Sequence, residues 1–169
     1  MTSLSLFFLV FLPVSGGLCL FFLRQQDNLR KNLSLFIFSL SLLFSIYLFL
    51  KPQGSWSRHL FNGYTLTLGL GKLSRLILFF ANLSGALICL YSKDYMKGER
   101  GYFSWLLWLL AFSNLEILAV DFIVFIFSWC GSIFMLYALF NLGSKLSAKK
   151  AATISGFSWI CFIIGAYIY

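Results

Sequence analysis

From Gly101 to Leu142 the chain is almost continuously apolar, and the charged residues within that run are Glu116 and Asp121. One crossing of a bilayer's hydrocarbon core takes about 20 apolar residues. A run roughly twice that long has to fold back on itself, and Asp121 marks the place. Lipid offers no partners to backbone N–H and C=O groups, so each crossing has to be a helix. The chain is thereby committed to antiparallel helices in a membrane. An acidic side chain inside such a run is costly, so Glu116 calls for either a partner or a role.

The same pattern recurs along the chain. Spans are expected at about 4–23, 33–50, 73–91, 102–120, 122–140 and 151–169. This predicts an all-α integral membrane protein with about six transmembrane helices, a single transmembrane domain over 1–169. Charged residues make up 11% of the chain, against about a quarter in soluble domains. With 169 residues, 60% of them hydrophobic, a soluble core could not hide the apolar surface. Pro13, Gly16 and Gly17 are expected to kink or thin the first span. Met1 to Leu23 has no basic start and no clear cleavage site, so it reads as a retained span rather than a signal peptide. Between spans two and three, Lys51-Pro52-Gln53-Gly54 reads as a stop and turn. Trp56, Arg58 and His59 suit a membrane interface. Residues 64–71 alternate with a period of two, which predicts a short surface strand or hairpin.

The net charge of +8 is not a nucleic-acid signal, because the basic residues sit in short loops between apolar spans. The loops after spans one, three and five hold nine of them: Arg24, Arg30, Lys31, Lys93, Lys97, Arg100, Lys145, Lys149 and Lys150. The opposite side holds four: Lys51, Arg58, Lys72 and Arg75. The richer side is expected in the cytoplasm, with both termini on the outer face.

Catalytic chemistry finds no support. Cys19, Cys89, Cys130 and Cys161 lie in apolar spans without metal-ligand or disulfide spacing, and read as small apolar residues. The single histidine, His59, falls in a loop. There is no phosphate loop and no nucleophile–His–acid set. No catalytic residue, metal or cofactor is expected of this chain.

The polar residues within the spans are the candidates. Spans four and five should form a tight hairpin at Asp121, with that residue hydrated at the outer interface and capping span five. Glu116 would then lie about 7–8 Å deeper, at 1.5 Å per residue, and Cys130 near mid-membrane. Glu116 reads either as a proton-shuttling acid or as an interfacial acid bonded to a partner. Asn82, Ser84 and Asn114 read as glue between helices, or as part of a hydrated path. Lys72 and Arg75, at the outer end of span three, either snorkel to the interface or form ion pairs with Asp121 or Glu116. Cys130, beside Gly131 and Ser132, reads as filler in a helix seam.

Several of these segments resemble one family. Leu90-Tyr91-Ser92-Lys93-Asp94-Tyr95-Met96 resembles the Tyr-Ser-x-x-Tyr-Met/Leu element after the third helix of antiporter-like subunits. Phe112 to Cys130 resembles the following hairpin, where the family has a short turn with Asp or Asn and then an apolar run ending in Trp-Glu. Ser147-Ala148-Lys149-Lys150-Ala151-Ala152 resembles the basic, alanine-rich start of the next helix, and the hairpin at 64–71 also fits. The family comprises large membrane subunits of complex I, multisubunit cation/proton antiporters and energy-converting hydrogenases. Two departures stand out. The family's Trp-Glu glutamate, which the resemblance places on a proton path, is Cys130 here, and a thiol does not supply a carboxylate's exchangeable charge at neutral pH. The family's acidic residue before x-Ser at the start of helix three is Lys72 here. Family members also have about twice as many helices, and the next one carries an essential lysine.

The resemblance therefore implies the N-terminal third to half of an antiporter-like subunit, in an energy-transducing membrane (bacterial or archaeal cytoplasmic, or mitochondrial inner). It implies a non-redox membrane-arm subunit, structural or accessory to proton or sodium movement. Its partners would be the lipid bilayer and other membrane subunits of a multisubunit complex. Two alternatives stay open: an independent homo-oligomeric ion transporter, and an assembly scaffold.

Overall fold

A computed structural model describes residues 2–22, 27–50, 54–59, 65–96 and 101–168. Six helices run in chain order: α1 (Thr2–Phe22), α2 (Asp27–Leu50), α3 (Lys72–Tyr95), α4 (Tyr102–Leu118), α5 (Phe122–Gly143) and α6 (Lys145–Ile168). Two strands, β1 (Gly54–His59) and β2 (Thr65–Leu70), lie between α2 and α3. The expected six-helix membrane architecture with a hairpin between the second and third helices is what the chain adopts. Four helices, α1, α2, α3 and α5, are long and apolar enough to cross a bilayer, and α4 is a shorter apolar helix. Helix α6 opens on a basic turn with Lys145, Lys149 and Lys150 before its apolar run.

Large apolar side chains cover the outside. Phe36, Leu43 and Leu50 on α2, and Phe80, Leu87 and Leu90 on α3, are exposed. Such a surface is stable against lipid or an apolar partner, not against water. The helices also begin earlier than the apolar spans, because polar first turns such as Asp27–Lys31 and Lys145–Lys150 are helical too.

Helix α4 is the centre. It is apolar all round, which suits a helix packed on several sides, and it packs against α1, α3 and α5. Gly101 precedes it at φ +91°, a left-handed conformation that glycine adopts at no steric cost. The inner core joins Leu20, Phe38, Cys89, Phe103 and Leu107. A second core, at the other end of the bundle, joins Leu6, Leu9, Leu48, Leu78 and Leu118 with Leu68 and Leu70 of β2.

The hairpin corrects the sequence reading in one respect. Residues 64–71 do supply a strand, but its antiparallel partner is 54–59, with Gly54 opposite Leu70 and His59 opposite Thr65. His59 and the last residue of the proposed Lys51–Gly54 turn are therefore strand residues. Alternation turns Leu68 and Leu70 inward, where they are buried over the bundle end. The rest of that turn, Tyr64, and the basic residues Arg24, Lys51, Lys97 and Arg100 lie outside the described residues.

A buried amide pair and an intramembrane glutamate

The first element of the site is a gap made by proline. In α1 the carbonyl of Leu9 would ordinarily accept the N–H of residue 13, but Pro13 has none. An orphaned carbonyl in a membrane interior is expensive. The Asn114 carboxamide fills the gap: its Nδ2 donates to the Leu9 carbonyl at 3.2 Å. Asn114 is held in turn by Asn82, whose Nδ2 donates to Asn114 Oδ1 at 2.9 Å and to the Leu78 carbonyl at 2.8 Å. Both asparagines are fully buried. Three helices are thus joined through one amide pair, as expected of glue residues. Ser84 is not part of it: it is exposed and bonds back to its own helix at Phe80.

Close approach of α1 and α4 depends on Gly17. A Cβ there would lie 2.4 Å from the Trp108 ring, and Trp108 Nε1 donates to the Val14 carbonyl at 3.2 Å. Trp108 is therefore an interhelical anchor.

The second element is the connection from α4 to α5. Helix α4 ends at Leu118, and Ala119 and Asp121 are extended. Extended backbone at a bundle end leaves N–H and C=O groups to satisfy. Strand β2 does this: Ala119 bridges Leu68, and the Val120 N–H donates to the Thr67 carbonyl at 3.3 Å. The hairpin after α2 and the turn after α4 thus share one end of the bundle, as alternating crossings require.

Asp121 occupies the N-cap position of α5 but makes no side-chain cap bond there. The expected cap is replaced by a tie to the hairpin. Its Oδ2 accepts from Thr67 Oγ1 at 2.7 Å and from the Thr67 N–H at 2.9 Å. These two bonds hold the Asp121 carboxyl below the usual carboxylate range, the hydroxyl contributing more than the amide. A depressed acid stabilises the fold above its unfolded value near 3.9, and that contribution is lost as pH falls through the lower folded value. In Asp121→Ala, hydrogen exchange at the Thr67 N–H is expected to speed up at neutral pH. The acid-induced rise in exchange across 65–70 should also disappear in the variant. Unchanged exchange at Thr67 would remove the tie from the account.

The third element is Glu116. Glu116 lies in the last turn of α4, with its side chain reaching α5. Its Oε2 accepts from Ser132 Oγ at 3.4 Å. Ser132 is eleven residues along α5 from Asp121, about 16 Å at helical rise. The carboxylate therefore lies in the α4–α5 seam. The one Ser132 hydroxyl proton is shared with the Ser128 carbonyl at 3.1 Å, and both serines are buried.

Cys130 faces away from this seam and is exposed. The residue that fills the α4–α5 seam is Gly131, where a Cβ would lie 2.5 Å from the Phe112 ring. Lys72 is exposed, and Arg75 Nε donates to the Gly71 carbonyl at 3.4 Å. The acids take their hydrogen bonds from Thr67 and Ser132, and among the described residues no ion pair joins Lys72 to either. Residue-level reading missed Thr67, Ser132 and the Leu9 carbonyl. Pro13, four residues after Leu9, was the available signal for the last.

Apolar helices, a β-hairpin cap and a buried polar seam define a polytopic α-helical membrane protein. No family model matches the chain. The chain is similar to the chloroplastic NAD(P)H-quinone oxidoreductase subunit 5 of Aethionema cordifolium, with 30% identity over 99 residues, 52% of this chain and 13% of that protein. Its fold is similar to a chain in the membrane-bound sulfane sulfur reductase, an archaeal respiratory membrane complex. That likeness has a TM-score of 0.84 at 21% identity and covers 97% of this chain and 27% of the other. The chain thus spans about an eighth of the curated relative and about a quarter of the structural neighbour. The resemblance to complex I-like antiporter-type subunits read from the motifs is borne out by the sequence likeness to subunit 5, and the membrane fold by the structural neighbour.

Proposed function

We propose that this chain acts as a non-redox membrane-arm subunit of a complex-I-like respiratory or energy-converting hydrogenase-type complex. Its role there is to bridge or seal the arm, with electron transfer carried out by other subunits. The observation that carries this reading is the fold shared over nearly the whole chain with a chain of a respiratory membrane complex, combined with Cys130 where the resembling motif has its glutamate. An outward-facing thiol cannot take over the charge exchange of a buried carboxylate. The basic loops would face the cytoplasm and both termini the outside. The shared end of the hairpin and the α4–α5 turn supports that arrangement.

A second reading is favoured by one observation, the hydrogen bond of Glu116 to Ser132 on the helix that carries Cys130. In it, an acid on α4 that faces the α4–α5 seam takes over from the position that Cys130 occupies on the exposed side of α5. The two readings separate in the assembled complex. Glu116→Gln keeps an acceptor for Ser132, so assembly is expected to survive. Coupled ion movement is expected to stay unchanged under the first reading; its loss with assembly intact would establish the second. Cys130→Ala is expected to leave both assembly and transport unaltered. Purification of the chain as a stable homo-oligomer, free of redox subunits, would instead support an independent transporter.

A further inference from the structure

We propose that the groove along α4, between α3 and α5, binds an anionic phospholipid. One acyl chain lies in the groove and the head-group phosphate meets the basic start of α6. The inference rests on membrane embedding and not on the role proposed above.

Two cavities, of about 500 Å³ and 230 Å³, share Ile88, Leu106 and Leu109 and so form one groove. It runs along α4 from Tyr102 to Ser113, about 16 Å at helical rise. That is close to the depth of one leaflet, half of a core about 30 Å thick. Its walls along most of this length are apolar, with Leu136, Leu139 and Phe140 of α5 facing Ile88 of α3. A protein helix about 10 Å across and that long would fill more than about 1,000 Å³. An extended hydrocarbon chain is the better fit to the space.

The mouth carries the charge. Ser144 and Ser147 line it. Lys145 follows Ser144, and Lys150, three residues after Ser147, shares its face of α6. Lys145, Lys149 and Lys150 are all exposed, and among the described residues none has an ion-pair partner. No acid interrupts 144–152. On the facing wall Lys93 lies one turn before Met96, which lines the same groove. Lysines beside an apolar cleft, at the end of the bundle where basic residues concentrate, match the chemistry of an anionic head group on an acyl tail.

The test is native mass spectrometry of the full chain in detergent with equal palmitoyl-oleoyl phosphatidylglycerol or phosphatidylcholine. Phosphatidylglycerol adducts are expected to persist at least about tenfold more than phosphatidylcholine adducts, a difference of about 1.4 kcal/mol. The surface variant K145Q/K149Q/K150Q should bring the two lipids to parity. Leu109→Trp, which fills the groove, should reduce adducts of both. Parity in the unaltered chain, or a preference that survives the triple substitution, would overturn the site. So would a photoreactive side chain at position 109 that labels a polypeptide rather than lipid in the assembled complex.

Discussion

Replacing Asn114 with leucine is expected to destabilise the bundle by about 1–3 kcal/mol, toward the upper end of that range. Leucine has nearly the same shape, so packing around position 114 is largely kept. What disappears is the donor to the Leu9 carbonyl and the partner of Asn82. Two buried polar groups are then left unsatisfied on two helices. Interhelical hydrogen bonds in membranes often contribute less than 1 kcal/mol, because the separated helices find other partners. The Leu9 carbonyl lacks that escape, since Pro13 deprives it of its own helix's N–H. This gives the prediction a specific rescue. Pro13→Ala returns an N–H to position 13, so in that background Asn114→Leu should cost about 1 kcal/mol less. Unfolding in mixed micelles, followed for the two single variants and the double, measures the coupling. Equal cost of Asn114→Leu in both backgrounds would show that the carboxamide and the proline gap are independent.

The membrane class and the helix count were legible because they rest on a property of each segment alone. An apolar run of about 20 residues in lipid has few options besides a helix. Strand β2 was legible for the same reason, since Thr65-Leu66-Thr67-Leu68 alternates. Strand β1 was not: Gly54-Ser55-Trp56-Ser57-Arg58-His59 mixes turn formers with polar residues and becomes a strand by pairing with β2. The extended connection from α4 to α5 was not legible because it depends on where α4 stops. Nothing local ends the helix at Leu118, and the pairing of Ala119 and Val120 with β2, about fifty residues away in sequence, draws them into extended backbone. The facing of Cys130 was missed because a helix that is apolar all round carries no sign of which side meets protein and which meets lipid. Asn82 and Asn114 were found as candidates because polar side chains in lipid are few and need partners. That they choose each other, and a carbonyl left free by Pro13, is a property of the packed bundle.

Gly131→Ala and Gly156→Ala are expected to have opposite signs. Both glycines lie inside helices, α5 and α6. In an unhindered helix interior the added methyl favours the helix by about 0.5–1 kcal/mol. A Cβ at Gly156 meets nothing within 4 Å, so Gly156→Ala should stabilise by that amount or slightly less. A Cβ at Gly131 would stand 2.5 Å from Cδ1 and Cε1 of Phe112. Those atoms belong to a rigid ring in the α4–α5 seam, so α5 has to move away or the ring has to turn. Overpacking of this kind costs about 1–3 kcal/mol, which exceeds the gain in helix preference. The net change should be a loss of about 1–2 kcal/mol. Phe112→Leu in the same chain should recover part of it, because a narrower side chain can vacate the space. The strain also reaches the bond to Glu116, since its partner Ser132 is the next residue. Thermal unfolding of the three variants in one detergent reads the signs directly. Stabilisation by Gly131→Ala would mean that α4 and α5 are packed more loosely than the 2.5 Å approach requires.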